Sequence, residues 1–322
     1  MIFPSKRVFF FLVMFLFLQA AGNPSRGQAV QPLHLNPGLV SWKSLLFTAT
    51  SFSGSAKVEI VLGARDQPAL PEQCRRCIDQ ARKSGVAAAT ETCLSTSTTI
   101  KPTFSVNSFY QTAVWFSPAD GGASRRLRLM KGKKYYLKNY LFTPAGVCRC
   151  RQRPANRKEK KLPPESWSDV REALYPFPGR VSTSIPVSES SLILYCLSAA
   201  TPTPEARPME IIVFHKKQYH LATLTRTAPI RIQVSYQEMR DGHERQVNEK
   251  DRVLEGYRLT SRPLAENNGQ AVEEFSFMGL TGDIVIYRDP KSRLPIRIDG
   301  DLPFIGRVHF NLQQVVRTTD RR

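Results

Sequence analysis

Six cysteines, five histidines and a dense run of lysines and arginines are the side chains in this sequence that could do chemistry. The cysteines are Cys74, Cys77, Cys93, Cys148, Cys150 and Cys196. Cys74-Arg-Arg-Cys77 has the spacing of a redox pair, and its two arginines would lower a thiol pKa. No His follows Cys77, which excludes an attached c-type haem, and no thioredoxin-like βαβ pattern surrounds the motif. Cys74, Cys77, Cys93 and one of Cys148 or Cys150 could instead make a zinc site. In an exported chain an even number of cysteines reads first as structural disulfides, and six allow fifteen pairings that spacing leaves open.

The histidines offer less. His215 and His220 are five apart in a strand-like stretch, on opposite faces unless a turn intervenes at Lys216-Lys217. His309 shares a side with Arg307 and Asn311 and faces water. His243 lies in a charged turn and His34 in the leader. None has a second ligand at metal spacing, and no HExxH, G-x-S-x-G, P-loop or G-x-G-x-x-G is present. Glu165 and Asp169 would share a helix face, which reads as a solvated acidic face rather than a glycosidase pair. Asp299 and Asp301 around Gly300 read as a tight turn before the last strand. No catalytic residue, metal or cofactor is implied.

The basic run departs furthest from background. The 322-residue chain carries a formal net charge of +19. Residues 125–161 hold fourteen Lys or Arg against a single acid, Glu159, with Tyr135, Tyr136, Tyr140 and Phe142 interleaved. Like charges at this density repel one another and are best tolerated beside an anionic partner. Arg125, Arg126, Arg128, Lys131, Lys133, Lys134 and Lys138 are therefore expected to form much of a surface that meets an anionic component.

The elements that must position these residues read as mainly β. Residues 1–22 look like a cleaved signal peptide: Lys6 and Arg7 precede an eleven-residue apolar run at 8–18, and small residues follow at Ala20, Ala21 and Gly22. That run is too short to span a bilayer, which needs about 20 residues. The address is periplasmic or secreted. Residues 23–40 read as a flexible leader. Residues 41–318 read as one β-rich domain in two halves, 41–200 with the basic hairpins and 209–318 with antiparallel strands, joined by a Pro-rich linker at 201–208. Strands are expected at 42–50, 56–62, 105–116, 125–130, 133–142 and 147–153. Helices are expected within 71–93, over 165–174 and over 188–199, the last two amphipathic. In the second half, Ile230, Ile232, Val234 and Tyr236 alternate with polar residues, one face dry and one wet. Strands at 253–259, 272–277, 283–287, 294–298 and 307–316 continue the pattern. Phe275, Phe277, Ile284, Ile286, Ile296, Ile298, Val308 and Phe310 should line the same inner face. The fold class is a large curved antiparallel sheet, a half-barrel or open barrel, with a few short helices.

Trp42 at the head of the first hairpin, Gly146-Val147-Cys148-Arg149, the Trp167 segment and the stretch from Leu294 to Gly300 together resemble an uncharacterised periplasmic family, domain of unknown function 3108. The resemblance implies a half-barrel distantly like those of lipoprotein-localisation proteins, and it carries over no catalytic residue.

The expected function is that of an exported, non-enzymatic binding protein of the bacterial envelope. It would engage an anionic or amphipathic component (lipid, lipopolysaccharide or acylated protein) through an apolar sheet face and the basic patch, with peripheral membrane contact as one form of this. A scaffold docking an acidic protein and a thiol oxidoreductase using Cys74 and Cys77 are the alternatives. Export disfavours a nucleic-acid partner despite the basic charge.

Overall fold

The computed structural model describes residues 33–72, 74–83, 90–132, 134–178, 185–201, 207–264 and 274–318. The signal-peptide reading of residues 1–22 lies outside these, as do Lys133, residues 202–206 of the expected linker and residues 272–273. Alternation of apolar and polar side chains favours strands nearly throughout, and the strands join into one sheet.

The first eight strands are β1 (Trp42–Ser51), β2 (Gly54–Asp66), β3 (Thr90–Pro102), β4 (Ser108–Phe116), β5 (Ala123–Lys131), β6 (Tyr136–Thr143), β7 (Gly146–Arg153) and β8 (Asp169–Pro176). They form an antiparallel meander in chain order, and β1 also pairs with the final strand. The remaining strands are β9 (Val187–Ser188), β10 (Met209–His215), β11 (Gln218–Arg240), β12 (His243–Pro263), β13 (Thr281–Arg288), β14 (Pro295–Leu302) and β15 (Gly306–Arg317). Among the described residues two α-helices accompany them, α1 (Arg75–Lys83) and α2 (Ile193–Ala199).

Strand β11 bends enough to close a ring. Its register shifts between Thr227 and Ile230, where Pro229 lacks a donor, and again between Ile232 and Val234. Beyond these bulges Gln237, Glu238 and Met239 pair in parallel with Gln314, Val315 and Val316. Strands β11 to β15 thus form a closed five-stranded barrel, fastened by Arg317 to Glu238 at 2.7 Å. Val234, Tyr236, Phe277, Ile284, Ile286, Ile296, Ile298, Val308 and Phe310 are buried in the core, while Ile232 and Phe275 are partly buried against it. The period-two reading of the second half holds.

The eight-stranded meander wraps a plug. Every residue of α2 is buried, as a helix apolar on all sides must be. Its terminal carbonyls are taken by arginines: Arg288 donates to Leu197 O at 2.6 Å and Arg293 Nε to Ser198 O at 2.8 Å. Side chains draw the meander's free edge towards β10 and β11. The Tyr219 hydroxyl donates to Tyr175 O (2.7 Å) and accepts from Val147 N–H (3.1 Å), while the Phe214 ring packs on Tyr140 and Tyr175. On the opposite face of the meander α1 is stapled by two disulfides, Cys74–Cys150 and Cys77–Cys148. The Glu172 carboxylate accepts from Arg76 and Cys77 N–H at the start of α1, each at 3.1 Å.

Several expectations are corrected. Residues 165–174 are no helix. A single 3-10 turn at Pro164–Ser166 leads into β8, because Val170, Glu172 and Leu174 also repeat with period two and β7 offers a free edge. Residues 188–199 begin as strand and 3-10 turn, with Glu189 rather than Ser188 as the cap. The helix that follows is wholly buried, not amphipathic. The helix expected within 71–93 covers Arg75–Lys83, and residues 90–93 belong to β3. Phe277 makes a lone bridge to Leu280 and lies in no strand. The Asp299-Gly300-Asp301 segment is itself strand, and the turn falls at 303–305. Of the expected leader, residues 23–32 lie outside the described ones; Leu35 and Val40 are buried, and Leu35 is bridged to Ala200.

Two outcomes follow from this packing. Peptide mapping under non-reducing conditions should return Cys74 linked to Cys150 and Cys77 to Cys148. Reduction should lower the unfolding free energy by about 4 kcal/mol, since the bridges close loops of 76 and 71 residues. A Cys74–Cys77 link would contradict the fold.

The second concerns Glu189, which is 5% exposed and receives Arg126 Nη1 at 2.8 Å. Glu189→Gln strands a buried guanidinium and should cost about 3–5 kcal/mol in urea unfolding. Burial pushes this carboxyl up, but Arg126 and the Ser191 donors more than offset it, so its pKa lies below the ordinary range. Its contribution is complete above the unfolded value, about 4.3, and is lost as pH falls through the depressed folded value. The Gln variant should lack that acid limb.

Candidate functional site

Strands β5, β6 and β7 place their charges by parity. Cross-strand pairing sets Arg126 opposite Tyr140 and Tyr140 opposite Arg149 in one row. Arg128, Lys138 and Arg151 form the next row. All point to the face that carries Val114 and the Phe214 ring. The alternate residues Leu141, Cys148 and Cys150 point to the other face and pack with Cys74, Cys77 and α1. Five cations thus share one side of three neighbouring strands.

Among the described residues, only one of the five has a close carboxylate. Arg126 is 1% exposed, lies 3.7 Å from the Tyr140 ring centroid and pairs with Glu189. Glu189 also accepts from Ser190 Oγ at 3.1 Å, Ser191 N–H at 2.7 Å and Ser191 Oγ. The Asp169 charge reaches Arg151 but is engaged by Arg171 at 3.4 Å. Arg128, Lys138, Arg149 and Arg151 are half-buried, and the Nε atoms of the three arginines are buried with no hydrogen-bond partner. Lys138 records the strain. Burial, then the charges of Arg128, Arg126, Arg149 and Arg151, pull its pKa down to about 7. Tyrosines line the cations: Arg128 lies over Tyr110, Lys138 over Tyr136 and Arg149 over Tyr175.

A histidine pair flanks this face. The turn at Lys216-Lys217, with Lys216 at φ +54°, brings His215 and His220 to 6.1 Å between ring centroids, with Phe275 against both. His215 Nε2 meets Ser276 N–H at 3.3 Å, whereas neither ring nitrogen of His220 has a hydrogen-bond partner. Burial holds both below the usual histidine pKa, His215 at about 3, so both rings are neutral at physiological pH. His309 is exposed and joins Asp299 at 2.8 Å on the outer side of β14 and β15.

The expected basic surface is therefore redistributed. Arg126 is in the core. Arg125 is buried on the other face, where it donates to Pro68 O and Asn139 Oδ1, because its parity sets it under the chain that precedes α1. Arg128 and Lys138 are half-buried in the ladder, and Lys131 and Lys134 are exposed near the β5–β6 turn. Arg149 and Arg151 complete the ladder and were not among the expected residues. Their alternation with Cys148 and Cys150 is the signal that could have found them.

The thiols are placed as plainly. Cys74 and Cys77 bond to β7 rather than to each other, so the redox pair is not formed. Cys93 packs with Trp115 in a separate cluster, so the zinc set with Cys74, Cys77 and Cys148 or Cys150 is not formed either. Cys93 and Cys196 are buried and unbridged, so not all six cysteines pair. Burial raises the Cys93 pKa and pushes that of Cys196 up to about 12, which leaves both unreactive. Chemically, the assembly offers desolvated cations and aromatic rings, the makings of an anion site.

Comparison with known proteins adds little. No family model matches the chain, the family suggested by its motifs included, and no curated protein matches it. Among solved structures, a β-barrel-like protein of domain of unknown function DUF1849 from Brucella abortus is similar with a TM-score of 0.40 at 8% identity. The match covers 87% of this chain and 98% of that one. Similarity at this level says nothing of ligand or activity.

Proposed function

We propose that the protein is a non-enzymatic binding protein of the bacterial envelope that holds an anionic, amphipathic component against the cationic face of β5–β7. The observation that carries this reading is the set of three arginine Nε atoms, on Arg128, Arg149 and Arg151, buried without partners beside Lys138. Leaving such donors unpaired costs about 1–3 kcal/mol each, and more for charged groups, which an anionic group would recover. Tyr110, half-buried beside Arg128, gives the same face apolar surface for the rest of an amphiphile. The two disulfides fit an oxidising compartment such as the periplasm. An acidic protein partner is less well served, since four of the five cations are only partly exposed and Arg126 is buried. A thiol oxidoreductase would need Cys74 and Cys77 paired with one another.

Calorimetric titration with dodecyl phosphate, against dodecyl maltoside as the uncharged probe, tests the reading. Wild type should bind the phosphate and not the maltoside, and Arg128→Gln and Arg151→Gln should each weaken binding about tenfold. Equal affinity for both probes, or unchanged affinity in the variants, would overturn it. The pH dependence has a definite sign. An anion favours charged Lys138, so affinity should be constant below about pH 7 and decline above it as the free protein loses that proton. Binding at pH 8 should take up protons in wild type and not in Lys138→Gln.

A further inference from the structure

Antiparallel order sends the β1–β2 turn, the β3–β4 loop, the β5–β6 turn and the β14–β15 turn to one end of the sheet. Register fixes them as neighbours: Gly54 lies opposite Pro102, Phe109 opposite Lys131, and Leu302 opposite Gly306. Hydrogen bonds join the first two, with Thr103 N–H donating to Ser53 O at 2.9 Å and Thr103 Oγ1 to Phe52 O at 3.3 Å. Two glycines at positive φ permit the contacts. A Cβ on Gly54 (φ +147°) would come within 3.2 Å of Ile305 Cδ1, and one on Gly132 (φ +125°) would run into the Asn107 carbonyl.

Three of these four tips carry an exposed phenylalanine. Phe52 is 93% exposed, Phe104 86% and Phe304 73%. Val106 on the β3–β4 loop and Leu162 on the β7–β8 connection are exposed at the same end. Among the described residues, the other large exposed hydrophobics, Val61 and Val253, lie within strands β2 and β12. Scattered exposed apolar residues are ordinary, but five gathered at one end are not. Lysines flank them on the β3–β8 side: Lys101, Lys131, Lys134, Lys160 and Lys161 are exposed on the strand ends and loops there. Glu159, set within the run, is engaged by its own loop, its carboxylate accepting from Ala155 N–H and from both Ser168 donors.

We infer that this end docks on an anionic bilayer, with Phe52, Phe104 and Phe304 entering the interface while the lysines meet lipid phosphates. Large apolar tips beside a basic cluster are the combination that holds peripheral proteins at such surfaces. The inference does not rest on occupancy of the cationic face. That face nevertheless runs towards this end, from Arg126 through Arg128 to Met130 along β5.

Co-sedimentation with vesicles of phosphatidylglycerol and phosphatidylcholine, against phosphatidylcholine alone, tests it with the full chain. Wild type should bind the anionic vesicles and lose binding as salt rises. Phe52→Ser, Phe104→Ser and Phe304→Ser should each weaken binding about tenfold, with thermal midpoint and dodecyl phosphate affinity unchanged. Lys131→Gln with Lys134→Gln should weaken it further and flatten the salt dependence. The native tryptophans, Trp42, Trp115 and Trp167, are all buried. Phe104→Trp therefore adds a reporter whose emission should shift to the blue on anionic vesicles. Serine variants that sediment like wild type, or an emission unmoved by vesicles, would overturn the inference.

Discussion

Period-two alternation on β5, β6 and β7 is the constraint from which the rest of the molecule follows. On one parity stand Arg126, Arg128, Lys138, Arg149 and Arg151, and on the other Leu141, Cys148 and Cys150. A slip of one residue would exchange the sets, taking the cysteines from α1 and setting arginines against a helix that begins with two of its own. The disulfides exclude the slip, because Cys148 and Cys150 reach Cys77 and Cys74 only in this register. Stapling one face thereby commits the cations to the other. There Arg126 finds Glu189, and that pair, with Tyr219 and Phe214, ties the meander to β10 and α2. The remaining four cations have no such counter-ion among the described residues, and burial, then repulsion from the neighbouring arginines, lowers the pKa of Lys138.

Much of the architecture was legible in the sequence, because each strand of the second half has one apolar face. Ile284, Ile286, Ile296 and Ile298 could be assigned to the core from spacing alone. Strand β3 was not, since threonine carries its alternation. Thr96 and Thr98 are buried between Leu94 and Ile100, and a polar run conceals that pattern unless β-branching is counted. Strand β8 was hidden for another reason. Trp167, Val170 and Leu174 repeat at helical spacing, Val170 and Leu174 also fit period two, and only the edge of β7 decides between them.

The site was half legible. Density of charge marked residues 125–161, but charge alone does not say which way a side chain points. Read as a surface, the run includes Arg125 and Arg126, both of which are buried on opposite faces. Parity against the cysteines separates the inward arginines from the rest, and the separation gives the basic run two destinations. Arg128, Lys138, Arg149 and Arg151 line the inner face, while Lys131, Lys134, Lys160 and Lys161 lie to one side of the phenylalanine tips at one end. The histidine pair was legible only conditionally, since it depended on a turn at Lys216 that the left-handed backbone there supplies.

The central claim is that the unpartnered cations of the inner face exist to meet an anion. Native mass spectrometry of protein released from envelopes tests this without choosing a ligand in advance. The account predicts a wild-type protein carrying an amphiphile adduct that fragments to an anionic group, and a bare mass for Arg128→Gln combined with Arg151→Gln. A bare wild type, or an adduct held equally by the double variant, would contradict it.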